Sequence, residues 1–263
     1  MRITFRHCSI KDYWTSRWNN ISSDQSMTND QVYPLKYAKQ IIKNDNGKIL
    51  EAGCGAGRIL RYFHNQNKNI IGIDFIDRAV TNLKKVDPNL KVEVGNITNL
   101  NFKDNSFKYI LAFGLYHNLE FGLEKSVKET YRVLEPGGTV CASFRADNIQ
   151  NKIVDWLANK KTAKIHKMKL KFHKINFTAK EFRELFEKAG FKVHQVEPVE
   201  NMPLLYKFSF FRSSKHKIFN ENLARTEGYK LSSFGKKCQY ILMKFFPNQF
   251  CNLYVLIAHK IKI

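Results

Sequence analysis

Three glycines at alternate positions, preceded by an acid, form the strongest chemical signal in this 263-residue chain. Residues 49–57 read ILEAGCGAG, an apolar run that ends at Glu51 and continues through glycines from Gly53 to Gly57, and a second acid, Asp74, closes a later apolar run. Because glycine has no Cβ, the backbone can turn tightly there and approach a ligand closely. A helix that begins after such a turn points free N–H groups at that ligand. The pattern indicates a nucleotide-cofactor site.

The spacing of the glycines distinguishes this site from the common dinucleotide fingerprint. That fingerprint reads G-x-G-x-x-G, with glycine or alanine in the last place to pack the helix. Here the last place holds Arg58, which we expect to be a solvated helix residue. Glu51 would repel a pyrophosphate and would suit a ligand that carries an amino group or a sulfonium. The sequence therefore favours a cationic cofactor.

Five segments in consistent order resemble the motifs of the class I S-adenosylmethionine-dependent methyltransferases, of the small-molecule type. The E-x-G-x-G-x-G loop is similar to motif I and IIGIDFID at 70–77 to motif II. VGNI at 94–97 resembles the adenine-contacting segment, FKYILAFGLYHN at 107–118 the motif after strand 4, and RVLEPGGTVCASF at 132–144 the turn into strand 5. The resemblance covers roughly residues 30 to 200 and a last strand near 252–260, and it implies S-adenosylmethionine as the cofactor.

The resemblance also implies a role for individual residues. Asp74 would accept the ribose hydroxyls, unless it is a turn residue, and Phe75 would pack on the adenine edge. Asn96 stands where the family more often has an aspartate that accepts from the adenine amino group; an amide oxygen can accept that bond more weakly, unless Asn96 only forms a turn. The predicted cofactor-binding residues are Glu51, Ala52, Gly53, Cys54, Gly55, Gly57, Asp74, Phe75, Asn96, Ile97, Phe113, Gly114 and Tyr13.

The predicted catalytic residue is His117, because many similar small-molecule methyltransferases place a histidine there. A hydroxyl acceptor must lose its proton, and histidine exchanges protons near neutral pH. The alternative is a structural histidine, since many of these enzymes act by positioning alone. Residues 112–115 read AFGL and lack the [D/N]-P-P-[Y/F] signature of enzymes that methylate exocyclic base amines. The sequence also lacks the proline-cysteine pair that is typical of cytosine C5 methyltransferases, and its cysteines do not have the spacing of a metal site.

Positive charge is concentrated in the second part of the chain. Of the formal net charge of +21, residues 1–150 carry 21 Lys and Arg against 15 Asp and Glu, whereas residues 151–263 carry 23 against 8. This asymmetry predicts an acidic partner, which is nucleic acid, an anionic membrane surface or a phosphorylated substrate. The alternative cause is an A/T-rich genome, which encodes lysine readily.

Neither a membrane-spanning run nor a signal peptide is apparent. A span needs ~20 consecutive apolar residues, and the first residues, MRITFRHC, lack an apolar core. The five cysteines are odd in number and show no disulfide framework. We therefore expect a reduced, cytoplasmic protein, with peripheral contact to the inner membrane face as an option.

Apolar runs of four to seven residues alternate with helical patterns between residues 48 and 144. This alternation is typical of βαβ units around a parallel sheet buried on both faces. We predict an α/β fold with a doubly wound, mostly parallel sheet, for which the resemblance implies seven strands with the last antiparallel. The predicted strands are 48–52, 69–74, 90–94, 107–113, 138–144, 191–196 and 253–259, and the predicted helices are 33–43, 57–66, 77–86, 123–134 and 179–189.

Three regions complete the predicted organisation. Residues 1–32 form an N-terminal arm whose Tyr13, Trp14, Arg17 and Trp18 either cover the site as a lid or pack the arm on the core, with Arg17 near the cofactor's carboxylate. Residues 33–200 and 251–263 form the core, and 201–250 are an insertion. The alternating MKLKFH at 168–173 predicts a strand with one cationic face. The basic segment 160–174 and the insertion are the predicted acceptor-binding parts.

Methyl transfer from S-adenosylmethionine to an oxygen or nitrogen of a small or lipid- or glycan-linked acceptor is the leading functional hypothesis. An anionic acceptor would explain the charge of the second part. One alternative is an RNA methyltransferase that neutralises phosphates with its lysines and stacks bases on the aromatics at 204–211. Another is a methyltransferase-like protein that binds a membrane surface through 234–246 without catalysis. The acceptor and the oligomeric state stay open at this point.

Overall fold

Seven strands form one twisted sheet in this computed structural model, which describes residues 1–42, 46–162, 170–199, 203–216, 218 and 228–261. The strand order is β4-β3-β2-β5-β6-β9-β8. The parallel strands are β2 (Ile49–Ala52), β3 (Ile70–Asp74), β4 (Val92–Val94), β5 (Phe107–Phe113) and β6 (Leu134–Arg145). β9 (Leu253–Lys260) runs antiparallel between β6 and β8 (Phe191–Pro198). The predicted seven-stranded sheet with an antiparallel last strand is confirmed.

Helices cover both faces of the sheet, because the central strands carry apolar residues on both sides. They are α1 (Ile10–Asn20), α2 (Leu35–Ile41), α3 (Arg58–His64), α4 (Asp77–Val86), α5 (Leu123–Val133), α6 (Ile149–Thr162) and α7 (Ala179–Lys188). Helix α6 was not predicted. On one face Phe144 stacks on Phe182 with ring centroids 3.7 Å apart. On the other face Leu60 and Leu83 lie fully buried against the sheet. The sheet is thus the middle layer of three.

The first residues form a strand that the sequence analysis missed. β1 (Arg2–Arg6) pairs antiparallel with β7 (Lys171–Asn176) as a separate two-stranded sheet. Arg2 donates to Asp147 at 2.8 Å and forms an ion pair with Asp155 at 2.9 Å, and Lys174 donates to Asp155 at 2.9 Å. These partly buried ion pairs tie the N-terminal arm to the core.

The predicted strand at 168–173 is confirmed only in part. β7 begins at Lys171, and residues 163–169 of the basic segment lie outside the described residues. A capping box opens α7: the side chain of Thr178 accepts from the backbone N–H of Glu181, and the Glu181 carboxylate accepts in return from the backbone N–H of Thr178.

Short helices build the insertion between β8 and β9. They are α8 (Pro203–Tyr206), 3₁₀ turns at Ser209–Phe211 and Ser214–His216, α9 (Ser233–Phe245) and α10 (Pro247–Phe250). Leu205, Tyr206 and Leu231 form a small apolar core among them, against which Cys238 and Leu242 pack. Residues 200–202, 217 and 219–227 of this region lie outside the described residues. No helix in the described part of the chain is long and apolar enough to span a membrane.

Candidate active site

A cavity of about 980 Å³ opens at the carboxyl ends of β2, β3 and β5. Strand order reverses there, because β2 lies between β3 and β5 while the chain runs from β2 to β3 and only later to β5. Open α/β sheets bind ligands at this switch point. Of the residues predicted from the sequence, eleven line the cavity: Glu51, Gly53, Cys54, Gly55, Asp74, Phe75, Asn96, Ile97, Phe113, Gly114 and His117.

The glycine loop joins β2 to α3 with three left-handed residues. Gly53, Gly55 and Gly57 have φ values of 74°, 55° and 72°, which other residues adopt only at a cost. The backbone N–H groups of Gly53 and Cys54 donate to the carbonyl oxygen of Ile73 at 2.8 and 3.0 Å. A Cβ on Gly55 would lie 2.6 Å from the indole of Trp18. The loop therefore forms a concave backbone surface, called here the cradle, in which a side chain at Gly55 would not fit.

Asp74 fixes this cradle through its carboxylate. One oxygen accepts from the backbone N–H of Gly55 at 2.8 Å and the other from that of Ile76 at 2.9 Å. Burial raises the pKa of the Asp74 carboxyl, against the opposing effect of these two hydrogen bonds. Each oxygen keeps one further lone pair for the predicted ribose hydroxyls. Phe75, just after it, exposes 55% of its surface and leaves a ring face for a base.

Glu51 contributes a buried carboxylate with an unused oxygen. The residue is 5% exposed, and its Oε2 accepts no hydrogen bond from the described residues. Burial raises the pKa of its carboxyl to about 8, although the nearby Arg58 guanidinium opposes this. An orphaned buried carboxylate is costly unless a cation meets it. A ligand with an ammonium group would meet this need.

Comparison with known proteins agrees with this geometry. The family described as "Methyltransferase domain" matches residues 50–142, from the glycine loop to β6. Residues 50–142 therefore carry a methyltransferase domain of the class I, S-adenosylmethionine-dependent type. S-adenosylmethionine is the cofactor of this family, and the residues present fit it. The glycine cradle would contact the cofactor through the backbone, the remaining lone pairs of Asp74 would accept from its ribose hydroxyls, and the unpaired Oε2 of Glu51 would meet its ammonium group.

Three relatives illustrate how far the similarity extends. An uncharacterized methyltransferase of Schizosaccharomyces pombe is 32% identical over 115 residues, which are 43% of this chain and 44% of that protein. The ubiquinone/menaquinone biosynthesis C-methyltransferase of Rickettsia prowazekii is 36% identical over 160 residues, with 51% and 63% covered. A solved putative methyltransferase in complex with a Haloferax volcanii methyltransferase activator matches at a TM-score of 0.62 and 15% identity, with 97% and 99% covered. The chain spans about half the length of the curated relatives it matches.

Two of the predicted cofactor residues lie behind the cavity wall. Ala52 is fully buried under the glycine loop. Gly57 begins α3, and a Cβ there would lie 2.4 Å from the side chain of Leu83. Both support the loop and neither lines the cavity.

Tyr13 also stays outside the cavity lining. The guanidinium of Arg6 lies 3.7 Å from its ring centroid, and its hydroxyl accepts from Arg17 Nη1 at 3.1 Å. The geometry makes Tyr13 a support for Arg17, which does line the cavity. The cofactor contact predicted for Tyr13 stays a prediction.

Asn96 occupies the turn after β4 with its side-chain oxygen engaged. This oxygen accepts from the backbone N–H of Thr98 at 3.0 Å and from its hydroxyl at 2.9 Å. An amide oxygen has two lone pairs. The turn-forming alternative describes this arrangement, and the oxygen predicted to contact adenine already has two donors.

Helix α1 forms the lid that the aromatic arm suggested. Trp14, Arg17 and Trp18 line the cavity, and the two indoles stack with centroids 5.2 Å apart. Trp18 also packs on Ala56 of the glycine loop. The two alternatives, a lid over the site and an arm packed on the core, are thus one structure, because the arm covers the cavity by packing on the core.

The prediction that Arg58 is a solvated residue is wrong. It is partly buried, lines the cavity at the first turn of α3, and donates weakly to Met27 Sδ at 3.7 Å. Burial lowers the pKa of its guanidinium, and Tyr33 and Glu51 oppose this. Its place directly after the glycines was the only sequence signal for this role. Together with Arg17 it makes the cavity wall cationic.

His117 lines the cavity from the 3₁₀ turn Tyr116–Asn118. It is 9% exposed, and its Nδ1 has no hydrogen-bond partner among the described residues. Burial lowers the pKa of the imidazole to about 3, helped by Arg145 and Lys174. The ring is therefore neutral at physiological pH, and its unpartnered Nδ1 is itself buried.

Several lining residues were not singled out individually in the sequence, although the insertion as a whole was predicted to bind the acceptor. Tyr33 precedes α2, and its hydroxyl lies 2.7 Å from Ser143 Oγ, which accepts from Gly114 N–H at 2.9 Å. The insertion contributes Gly228, Tyr229 and Gln239 to the wall. Within the described ranges, no group of three or more His, Cys, Asp and Glu side chains could hold a metal ion.

Proposed function

We propose that this protein transfers the methyl group of S-adenosylmethionine to an oxygen or nitrogen of a small or lipid- or glycan-linked, anionic acceptor. The observation that carries the proposal is the division of one cavity into two parts. One part, around Gly55, Asp74 and Glu51, suits the cofactor. The rest of the lining, to which α1, α2 and the insertion contribute, carries mainly positive charges, which come from the two helices and from Arg58.

The charge of the acceptor part supports an anionic acceptor. If Glu51 and Asp74 hold the cofactor, the other Lys, Arg, Asp and Glu residues in the described lining are Lys11, Arg17, Lys36, Arg58 and Glu120. This part of the lining then holds four positive charges and one negative charge. A cavity with such a surplus concentrates anions.

The state of His117 restricts the nucleophile. When S-adenosylmethionine is bound, it supplies an electrophilic methyl on a sulfonium. A histidine whose pKa is about 3 accepts a hydrogen bond well but removes a proton from an alcohol poorly, since a general base works best when its pKa is near the working pH. The site therefore suits an amine or an already ionised oxygen, which His117 would orient.

Methylation of a ring carbon is the second candidate function. Its support is the R. prowazekii relative, which is named as a C-methyltransferase of ubiquinone and menaquinone biosynthesis. An ionised ring acceptor would likewise be anionic and would need no strong base. RNA methylation and binding without catalysis remain alternatives that the same experiment separates.

The test is an incubation with methyl-labelled S-adenosylmethionine and a cell extract separated into lipid, small-molecule, RNA and protein pools. We expect label in the lipid or small-molecule pool. Label in RNA would establish the RNA alternative instead. Saturating titrations that show no binding of S-adenosylmethionine or S-adenosylhomocysteine would refute methyl transfer altogether.

Removing the imidazole of His117 is expected to separate catalysis from cofactor binding. His117→Ala should lower turnover by about 10- to 100-fold, as loss of an orienting group in a site does, and should leave cofactor affinity unchanged. Because its pKa is about 3, the wild-type rate should show no ionisation of this residue between pH 5 and 8. Unchanged turnover in His117→Ala would remove the residue from the mechanism; His117→Gln, which keeps an acceptor and a donor, should retain part of the rate.

A further inference from the structure

Helix α9 has an inner face that packs on the protein and an outer face that does not. Gly235, Cys238 and Leu242 are turned inward at helical spacing, and the latter two join the small apolar core of the insertion. The outer face exposes Phe234, Tyr240, Ile241 and Phe245 by 60, 57, 43 and 64%. Exposing these apolar side chains to water is unfavourable, and burying them against another surface would be favourable.

Lysines alternate with the exposed apolar side chains of this helix. Lys236, Lys237 and Lys244 are exposed on the same outer face, and the sequence of α9, SFGKKCQYILMKF, has no acid. Lys236 and Lys237 form no ion pair with any residue that the structure describes. Residues 201–250 carry nine Lys and Arg against two Glu. The local field is therefore strongly positive.

A second exposed group continues the apolar surface. The turn Ser209–Phe211 packs against the start of α9, where Phe211 stacks on Phe234 with centroids 5.5 Å apart. Next to this stack Phe208 and Phe210 are 42 and 65% exposed, and Phe246, just after the helix, is 56% exposed. We call α9, Phe208, Phe210 and Phe246 the aromatic-lysine face.

The aromatic-lysine face lies beside the acceptor part of the cavity. Gln239, on the inner side of α9, lines the cavity, as does Tyr229. The helix is thus a wall with the cavity on one side and the aromatic and lysine side chains on the other. A surface bound to this face would therefore be separated from the cavity by the width of this helix.

We propose that the aromatic-lysine face docks on an anionic lipid bilayer and that the acceptor reaches the cavity from that bilayer. Amphipathic helices with aromatic and aliphatic side chains between lysines lie in the interface plane of membranes, where the rings enter the headgroup region and the lysines meet anionic lipids. Both features are present here on one face. The delivery of a lipid-linked acceptor rests on the proposed function, whereas the docking itself does not.

Vesicle co-sedimentation tests the docking. The full chain should sediment with vesicles of phosphatidylglycerol and phosphatidylcholine and much less with phosphatidylcholine alone. Each lysine near an anionic surface raises binding about five-fold, so Lys236→Gln/Lys237→Gln/Lys244→Gln should weaken it by about 100-fold. The matched control Lys84→Gln/Lys125→Gln/Lys128→Gln removes three exposed lysines from α4 and α5 and should change binding by less than about three-fold.

A second variant tests the apolar contribution. Tyr240→Ser/Phe245→Ser removes two exposed rings and no charge, and it should weaken vesicle binding by at least about ten-fold at high salt, where screening leaves mainly the apolar term. Every variant should bind S-adenosylhomocysteine as the wild type does, because the substituted side chains are exposed and lie outside the cofactor part. This titration reports on the proposed function separately from the docking.

Three results would overturn the docking proposal. These are a wild-type chain that does not sediment with anionic vesicles, a lysine variant that binds as well as its matched control, and a ring variant that binds as the wild type does at high salt. Binding of single-stranded RNA without vesicle binding would assign the same face to nucleic acid.

Discussion

Asp74→Ala is expected to lower affinity for S-adenosylmethionine by at least about 100-fold, because two hydrogen bonds from ribose hydroxyls to a carboxylate are lost. The same change leaves the backbone N–H groups of Gly55 and Ile76, which donate to this carboxylate at 2.8 and 2.9 Å, without an acceptor inside the protein. Two buried unpaired donors should lower the free energy of unfolding by about 2 to 4 kcal/mol. Calorimetric titration and urea unfolding measure the two effects.

The control for this change is Asp77→Ala, which removes a nearby exposed acid in the first turn of α4. It should reduce stability by about 0.5 kcal/mol through the helix dipole and leave affinity unchanged. Asp74→Asn keeps one oxygen and so should keep one of the two loop hydrogen bonds, with an intermediate affinity. If Asp74→Ala binds as tightly as the wild type, the ribose assignment is wrong.

Glu51→Gln is expected to abolish the pH dependence of cofactor binding. Burial raises the pKa of the free carboxyl to about 8, so below that pH the ligand-free protein holds a proton that an incoming ammonium group must displace. Wild-type affinity for S-adenosylhomocysteine should rise by up to ten-fold per pH unit from pH 6 to pH 8, with release of nearly one proton. Glu51→Gln should bind about 10- to 100-fold more weakly at pH 8, with no dependence on this proton.

The same ionisation affects the stability of the ligand-free protein in the opposite direction. A carboxyl whose folded pKa lies above its unfolded value of ~4.3 stabilises the fold most at low pH, and this contribution is lost as pH rises towards about 8. Glu51→Gln should therefore be more stable than the wild type at pH 8 in the absence of ligand. Proton release is measured by calorimetry in buffers of different ionisation enthalpy, and Glu93→Gln, an exposed acid on β4, is the control. An equal proton count in Glu51→Gln and wild type would exclude Glu51 as the partner of the ammonium.

The central sheet and the cofactor part of the cavity were predictable from the sequence because they rest on local patterns. Buried parallel strands are apolar throughout, as in β2 and β5, and a glycine loop after a strand has a known geometry. Even the antiparallel last strand, Leu253–Lys260, was placed correctly across a long insertion, since its apolar run had no other position in the resembled fold.

The strand β1 was missed because its pattern is inverted. Ile3 and Phe5 are exposed, while Arg2 turns towards the protein and meets Asp147 and Asp155, far along the chain. Alternation of apolar and polar residues is normally interpreted with the apolar side chains facing the protein, and β1 has the opposite orientation. Long-range partners also explain why the roles of Arg58 and Tyr229 were not predicted, because each depends on segments that only folding brings together.

The insertion begins and ends at neighbouring positions of the sheet, since Pro198 of β8 pairs with Tyr254 of β9. It is therefore an enlarged hairpin loop, and the entropy of closing such a loop grows only slowly with its length. The insertion can therefore be lengthened, shortened or replaced while the register of β9 between β6 and β8 is kept. Under the proposed function, exchange of residues 199–252 between homologous chains would give hybrid enzymes that keep the methyl donor and differ in the acceptor.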